Sequence, residues 1–215
     1  MKHFNNITTL IFDLGGVLVD LDIDRCIMNL KQLGLKNFEQ LMGNFGQKGF
    51  FLEFEKGQIS KEQFRNEIRK LSNQSLTDEQ IDRAWSSFLC EIPMQKLEML
   101  VELKDKFRLL LLSNTNPIHV EGSVPAEFAK IGKKVSDIFD KCYLSYEMGM
   151  AKPNADIFEA LLSDAGVKAE ECLFLDDGMK NIEQAGHLGI QTYLVDPRED
   201  LSFLLKPETW RCSVN

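Results

Sequence analysis

After Pro93 the chain alternates between short apolar runs and amphipathic segments of helical length, and this alternation constrains the fold more than any other feature. Apolar runs rich in β-branched and aromatic residues lie at 107–112, 141–145, 171–175 and 191–195, after a first such run at 7–12. Helical patterns lie between them at 96–106, 155–165 and 181–188. Strands that alternate with helices form βαβ units. The pattern therefore predicts an α/β protein with a Rossmann-like parallel sheet that is covered on both faces.

A helical block interrupts this alternation directly after the first strand, because residues 24–89 contain no convincing strand pattern. Ser60 with Gln63, and Thr77 with Gln80, fit capping boxes that begin amphipathic helices. We therefore predict an all-helical cap domain at residues 20–93, inserted into a Rossmann-like core formed by residues 1–19 and 94–215. Residues 116–135 show little periodicity and are interpreted as a surface excursion, that is, an irregular loop near the predicted functional site. Residues 207–215 are interpreted as a tail.

Charge and cysteine content limit the classes of partner. The chain has 25 Lys and Arg against 33 Asp and Glu, and its net charge of −8 argues against binding to nucleic acid or to an anionic membrane. No apolar run approaches transmembrane length, and no signal-peptide pattern is visible. Five scattered cysteines without a Cys-x-x-Cys motif are typical of reduced thiols. We expect a cytoplasmic monomer or homodimer that binds a small molecule.

Polar side chains follow successive predicted strands at the point where each strand ends. The carboxyl ends of parallel strands meet at one edge of a sheet, where ligands bind. Carboxylates suit Mg²⁺, whereas a lysine, hydroxyl groups and backbone N–H groups suit phosphate. Each residue alone is explained as a turn, a helix cap or a surface charge, but their joint occurrence favours metal-assisted attack on phosphate. The residues are Asp13, Ser113, Asn114, Lys152, Asp176 and Asp177.

The order of these motifs resembles that of a known family. The segments Asp13-Leu14-Gly15-Gly16-Val17, Ser113-Asn114, Lys152-Pro153 and Asp176-Asp177 are similar to the four motifs of the haloacid dehalogenase-like hydrolases. A helical insertion after the first strand resembles the cap of one subfamily. Residues 12–15, 55–60, 112–116 and 174–177 look most like the bacterial α-glucose-1-phosphatase branch.

The resemblance implies roles for these residues. Asp13 would be the nucleophile that forms an aspartyl-phosphate. The Asp13 side chain, the Gly15 carbonyl and Asp177 would hold Mg²⁺, with Asp176 acting partly through water. Three residues would bind the phosphoryl oxygens, namely Ser113, Asn114 and Lys152, and Lys152 would also offset charge around Asp13. The predicted activity is Mg²⁺-dependent hydrolysis of a small phosphorylated metabolite, specifically a sugar phosphate.

One position departs from the family pattern. Most phosphatases of the family have a second Asp two residues after the nucleophile, as general acid and base, and this chain has Gly15 there. The loss of such a group typically slows a reaction by about 10²–10⁴-fold. One hypothesis is that Gly15 favours substrates with good leaving groups, such as sugar 1-phosphates. Another is that Asp20 or Asp22 substitutes, although both are more readily interpreted as hinge residues between core and cap.

Alternative functions remain open at this stage. A phospho-receiver module is disfavoured, because receivers place their acidic pair near the first strand. A 2-haloacid dehalogenase would need no Mg²⁺ and would have an aromatic residue at position 15. A non-catalytic phosphometabolite-binding or scaffold protein of the same fold is the third alternative. The three histidines, His3, His119 and His187, are interpreted as surface or core residues. The phenylalanines of the cap are interpreted mainly as packing, with one or two facing the substrate: Phe45, Phe50, Phe51 and Phe54. Three charged residues of the same region are interpreted as a solvated face, with sugar contacts as the alternative: Glu53, Glu55 and Lys56.

Overall fold

The computed structural model describes residues 3–35 and 49–211. Its centre is a five-stranded parallel sheet with strand order β4-β3-β2-β5-β6. The strands are β2 (Thr9–Phe12), β3 (Arg108–Ser113), β4 (Lys141–Leu144), β5 (Cys172–Asp176) and β6 (Gln191–Leu194), and a separate two-stranded parallel sheet pairs β1 (Phe4–Asn5) with β7 (Trp210–Arg211). The predicted Rossmann-like α/β fold is confirmed.

Helices surround the sheet and form the inserted block. They are α1 (Ile23–Gln32), α2 (Phe50–Glu55), α3 (Lys61–Leu71), α4 (Asp78–Ser86), α5 (Met94–Lys104), α6 (Val124–Ala129), α7 (Val135–Ile138), α8 (Ser145–Met148), α9 (Ala155–Ala165) and α10 (Met179–His187). A π-helical turn (His119–Ser123) and three short 3₁₀ helices (Ala169–Glu171, Ser202–Leu205 and Pro207–Thr209) complete the described elements.

Successive residues of the central strand face opposite layers of helix, as the two-residue period of a strand requires. Leu10 and Phe12 belong to the same hydrophobic cluster as Leu97 of α5. Ile11 belongs to the opposite cluster, with Ile157 of α9. Because both faces are covered, the strand is apolar throughout, and this is the pattern that made the sheet predictable from the sequence.

The helices α1 to α4 have a hydrophobic cluster of their own, which includes Leu30, Phe54, Phe64 and Ile81. Ser60 and Thr77 form the two predicted capping boxes at the start of α3 and α4, each accepting a hydrogen bond from the backbone N–H three residues later. This cluster supports the predicted cap, whose limits at residues 20 and 93 stay a prediction.

The chain enters and leaves this block through two neighbouring segments. The N–H of Cys90 donates to the carbonyl of Asp20 over 2.8 Å, and the N–H of Asp22 donates to the carbonyl of Phe88 over the same distance. The two connections are therefore paired side by side, like a short antiparallel ribbon, at Leu21 and Leu89.

The structure corrects several predicted details. Residues 116–135 are not a surface excursion, because they form a π-helical turn and α6 with buried side chains at Val124 and Phe128. Residues 207–211 are not a free tail, since β7 pairs with β1. Pro153 lies in the loop before α9, which begins at Ala155, and the Lys152–Pro153 peptide bond is cis. The prediction for Phe45 lies outside the described residues.

Candidate active site

The three central strands bring the predicted site residues to one edge of the sheet. Phe12 is in register with Leu111 and with Leu175, so β2, β3 and β5 end almost level. Asp13 follows β2 directly, and its N–H donates to the carbonyl of Leu175 over 2.9 Å. Because this bond continues the ladder, the backbone of Asp13 is fixed by the sheet. The predicted site residues that line the same cleft are Asp13, Gly15, Ser113, Asn114, Lys152 and Asp177.

Lys152 joins two of the carboxylates. Its Nζ lies 3.0 Å from Asp13 Oδ2 and 2.7 Å from Asp176 Oδ2, and it also donates to the carbonyl of Leu112 over 3.0 Å. Burial alone lowers the pKa of Lys152, but the charges of Asp13 and Asp176 outweigh it and hold that pKa above its usual value. The lysine therefore keeps its positive charge in the interior of the site.

The carboxylate of Asp176 is fully engaged by the protein. Its Oδ1 accepts from the N–H of Gly178 over 2.7 Å and from Nδ2 of Asn181 over 2.8 Å, while Oδ2 faces Lys152. A carboxylate held in this way is oriented by its neighbours, and its oxygens are already hydrogen-bonded. Asn181, which the sequence did not single out, therefore positions Asp176.

Three carboxylates form a group with the geometry of a cation site. One oxygen from each of Asp13, Asp176 and Asp177 lies within 4.8 Å of the others. Burial raises the pKa of Asp13 to about 7, with Lys152 opposing this and Asp176 adding to it. The pKa of Asp177 is raised too, by burial and by the charge of Asp176. Concentrated negative charge among hard oxygen atoms fits Mg²⁺, which would offset the repulsion.

The side chain of Asn114 is hydrogen-bonded to the backbone of Lys152. Its side-chain Nδ2 donates to the carbonyl of Lys152 over 2.9 Å, and its Oδ1 accepts from the N–H of Lys152 over 2.9 Å. This two-way bond ties the end of β3 to the loop before α9. The Asn114 side chain thus positions the lysine, whereas the sequence suggested a contact with phosphoryl oxygens.

Gly16 allows the loop after Asp13 to lie against Asp177. Its φ is +74°, and a Cβ at this position would lie 2.0 Å from Asp177 Oδ2. A larger residue would therefore displace one of the proposed metal ligands. The glycine is required both by the left-handed backbone and by the close approach.

Side chains from the helical block form the opposite wall of the cleft. They come from α1, α2, α4 and the two connecting segments: Leu21, Ile23, Phe51, Glu55, Trp85, Phe88 and Leu89. The cleft has a volume of about 490 Å³, within the usual range for small-molecule sites. Phe51 lines the cleft, as expected for one of the phenylalanines of the helical block. Trp85 and Phe88 were missed because an aromatic residue at helical spacing also fits a core.

His119 also lines this cleft, although its sequence context predicted only a surface or core histidine. Its Nε2 lies 3.3 Å from the carbonyl of Trp85 and must donate to it, so Nδ1 accepts from Nδ2 of Asn116 over 3.2 Å. The imidazole is stacked on Trp85 and on Phe88. Burial lowers the pKa of His119 to about 4, so the ring is neutral. Its interpretation as a core histidine is therefore consistent with its surroundings.

The two candidate substitutes for the missing aspartate do not reach the cleft. Asp22 caps α1 by accepting from the N–H of Arg25 over 2.9 Å. The Asp20 carboxylate lies 3.9 Å from Nε of Arg198. Neither side chain lines the cleft, so both fit their interpretation as residues of the connections between core and helical block.

A strand-end carboxylate, a buried lysine and an acidic pair on this fold define a hydrolase of the haloacid dehalogenase type. The model of that family, haloacid dehalogenase-like hydrolase, matches residues 7–189. The chain therefore belongs to the haloacid dehalogenase-like hydrolases.

Particular members of this family are similar to the chain over nearly its whole length. The chain is 36% identical, over 93% of its length and 98% of the relative's, to D-ribitol-5-phosphate phosphatase of Bacteroides thetaiotaomicron. A haloacid dehalogenase family enzyme of the same species, solved with magnesium and inorganic phosphate, is 45% identical with a TM-score of 0.85, covering 93% of this chain and 100% of that one. A predicted hydrolase of this type from Porphyromonas gingivalis is 38% identical with a TM-score of 0.86, covering 94% and 98%.

These relatives confirm the predicted enzyme class, a phosphoric monoester hydrolase with Mg²⁺ as its cofactor. They do not single out the α-glucose-1-phosphatase branch. Within residues 3–35 and 49–211, no helix combines the length and the apolar character needed to span a bilayer. The cytoplasmic location and the choice between monomer and homodimer stay predictions.

Proposed function

We propose that this enzyme hydrolyses a small phosphorylated sugar or alditol through an aspartyl-phosphate on Asp13. One observation supports this assignment above all, namely the buried ammonium group of Lys152 between Asp13 and Asp176. A cation at 3.0 Å from Asp13 holds the nucleophile in place and offsets the charge of an incoming phosphate. Positioning and charge neutralisation account for most of the catalysis of phosphoryl transfer.

The positions of the three carboxylates support an assignment of the metal ligands. Asp13 and Asp177 would bind Mg²⁺ directly, together with the carbonyl of Gly15. Asp176 would act through water, because both of its oxygens already accept hydrogen bonds from the protein. When bound, Mg²⁺ supplies positive charge to the phosphoryl oxygens and to the attacking carboxylate.

The protein groups around the metal would hold the phosphate in line with Asp13. Ser113 at the end of β3 offers its hydroxyl, and Lys152 offers its ammonium group. Asn114 contributes by fixing the backbone of Lys152 on both sides. In the first step a carboxylate oxygen of Asp13 attacks phosphorus and the leaving oxygen departs. In the second step water attacks the aspartyl-phosphate and releases inorganic phosphate.

The cleft favours a compact substrate with both polar and apolar faces. Phe51, Trp85 and Phe88 offer apolar surface on the side opposite the strand ends, and the C–H face of a sugar or an extended polyol packs well on such rings. A relative that shares 36% of its residues is named for D-ribitol 5-phosphate. That compound is the ester of an ordinary primary alcohol, and we therefore place alditol phosphates beside the sugar 1-phosphates suggested by Gly15.

The helical block would act as the cap, covering residues 20–93 and closing over the strand ends of the core at 1–19 and 94–215. Its side chains already line the cleft together with those of the strand ends. Exclusion of water strengthens the electrostatic contacts that stabilise the transition state.

A panel assay tests this proposal. Phosphate release is measured with D-ribitol 5-phosphate, glucose 1-phosphate, glucose 6-phosphate and 4-nitrophenyl phosphate, with Mg²⁺ or with chelator, for the wild type and for Asp13→Asn. We expect metal-dependent release from the wild type and none from the variant. Preference for glucose 1-phosphate over glucose 6-phosphate would support the leaving-group hypothesis. A wild type that binds these compounds but releases no phosphate would favour a binding protein.

A further inference from the structure

Gly15 lacks the acidic side chain that the family pattern places at this position for proton transfer. Leu21 crowds the position as well, since a Cβ at Gly15 would lie 3.2 Å from Cδ2 of Leu21, which would have to shift by a few tenths of an ångström. Yet an ordinary alcohol needs a proton as it leaves, since an alkoxide is a poor leaving group. Another group must supply it if this enzyme hydrolyses alkyl phosphates.

Five titratable side chains among the described residues line the cleft: Asp13, Glu55, His119, Lys152 and Asp177. Three of them have other tasks in the proposed function, since Asp13 attacks phosphorus, Lys152 holds its charge, and Asp177 binds the metal. His119 is neutral and both of its ring nitrogens are hydrogen-bonded. Glu55 is the other carboxyl group that lines the cleft, and it comes from the wall opposite the nucleophile.

The backbone of Glu55 is tied to the strand ends of the core. Oγ of the buried Ser145, the first residue after β4, donates to the carbonyl of Glu55 over 2.6 Å. The same Oγ accepts from the N–H of Thr115, two residues after Ser113, over 2.9 Å. Gly57 lies so close to the core that a Cβ there would be 2.0 Å from the carbonyl of Tyr146. The position of Glu55 is therefore set by the elements that also position the phosphate site.

We propose that Glu55 is the general acid and base of this enzyme, in place of the group that Gly15 lacks. This inference rests on the proposed function. In the first step the bond between phosphorus and the leaving oxygen breaks, a bond from Asp13 to phosphorus forms, and the Glu55 carboxyl gives its proton to the leaving oxygen. In the second step water attacks phosphorus and transfers a proton to the Glu55 carboxylate, which restores the acid as the bond to Asp13 breaks.

The test compares leaving groups in Glu55→Gln, which keeps the shape of the side chain but cannot transfer the proton. For the best alkyl phosphate of the panel, we expect kcat/KM to fall by about 10²-fold or more. For 4-nitrophenyl phosphate, whose leaving group needs no proton, kcat/KM should stay within about threefold of the wild type. The kcat of Glu55→Gln with 4-nitrophenyl phosphate should still fall, because hydrolysis of the aspartyl-phosphate is slowed. The aspartyl-phosphate then accumulates, and a burst of one nitrophenolate per active site is expected.

Glu53→Gln is the matched control, because Glu53 is exposed on the same helix and lines a groove away from the active-site cleft. It should behave as the wild type with both substrates. An equal loss of kcat/KM for both leaving groups in Glu55→Gln, or the absence of a burst, would overturn the assignment and leave Glu55 as a binding residue. Full activity of Glu55→Gln would overturn it as well. An inactive wild type would instead overturn the proposed function itself.

Discussion

At the scale of single residues, the active site contains buried charged side chains, each of which would reduce the stability of the fold if it had no partner. Asp13 is nearly buried, at 8% exposure, and burial raises its pKa to about 7. The folded protein therefore holds a proton on Asp13 between about pH 4 and pH 7 that the unfolded chain has released. Without metal, the ionised carboxylate reduces stability, and this cost is absent below pH 4 and complete above pH 7.

Replacement of Asp13 by Asn should therefore stabilise the metal-free protein in a pH-dependent way. We expect a gain in the free energy of unfolding of up to about 4 kcal/mol at pH 8 and a much smaller one at pH 5. Urea unfolding in chelator at both pH values measures it. Asp105→Asn, at an exposed position, serves as the control for the removal of one carboxylate. A gain for Asp13→Asn that does not grow with pH would contradict the assigned pKa.

Gly16 should be more important for the metal than for the fold. Alanine at position 16 places a Cβ at 2.0 Å from Asp177 Oδ2, and we expect Mg²⁺ affinity to fall by at least about tenfold. Calorimetric titration with Mg²⁺ measures the affinity. Gly132→Ala is the matched control, since its φ of +66° is similar and nothing lies within 4 Å of the added Cβ. Equal affinities in the two variants would show that the contact with Asp177 does not matter.

At the scale of elements, helix caps act independently of the active site. Ser60 accepts from the N–H of Gln63 over 3.2 Å at the start of α3. Ser60→Ala should reduce the free energy of unfolding by about 1 kcal/mol with kcat/KM unchanged. Thermal unfolding and the phosphatase assay measure the two quantities. The exposed Ser75, between α3 and α4, provides the control Ser75→Ala, for which no comparable loss is expected.

Most elements could be predicted from the sequence, because their determinants are local. The buried strands are continuous apolar runs. The starts of α3 and α4 are predicted by the three-residue spacing from Ser60 and Thr77 to the glutamines of their capping boxes. Residues 207–211 could not be assigned in this way, because β7 exists through its pairing with β1, about two hundred positions away in the sequence. The helical turns after Asn116 were missed for a similar reason, since their apolar residues pack against two different layers.

At the scale of the whole molecule, one wall of the cleft could be predicted from local sequence patterns, whereas the other depends on contacts between distant parts of the chain. Asp13, Ser113 and Asp176 could be located from the sequence, since each lies at or directly after the end of an apolar strand and parallel strands end at one edge. Trp85 and His119 could not, and Glu55 was only one of three charged candidates in the helical block, because no spacing rule relates that block to that edge. Their approach depends on how the block packs on the core, which side-chain shapes decide.

Gly57 is the residue at which this packing is most easily tested. Gly57→Ala would place a Cβ at 2.0 Å from the carbonyl of Tyr146, with φ at +65°. We expect kcat/KM to fall by about tenfold or more, since a displacement of about 1 Å near a reacting group costs that much. Gly49→Ala has a similar φ of +60° and open space around the added Cβ, so it should keep its activity. Steady-state kinetics of both variants, with thermal unfolding to confirm folding, decide the matter.

The charges around Lys152 also set the order in which ligands assemble. Asp13, Asp176 and Asp177 with Lys152 leave an excess of negative charge beside the strand ends, which repels a phosphate dianion. On the proposed ligand assignment, Mg²⁺ removes that excess, so phosphate should bind more tightly once the metal is present. Thermodynamic linkage requires the reverse by the same factor, and phosphate must then retain the metal. Bound product phosphate would therefore keep Mg²⁺ on the enzyme until the phosphate dissociates.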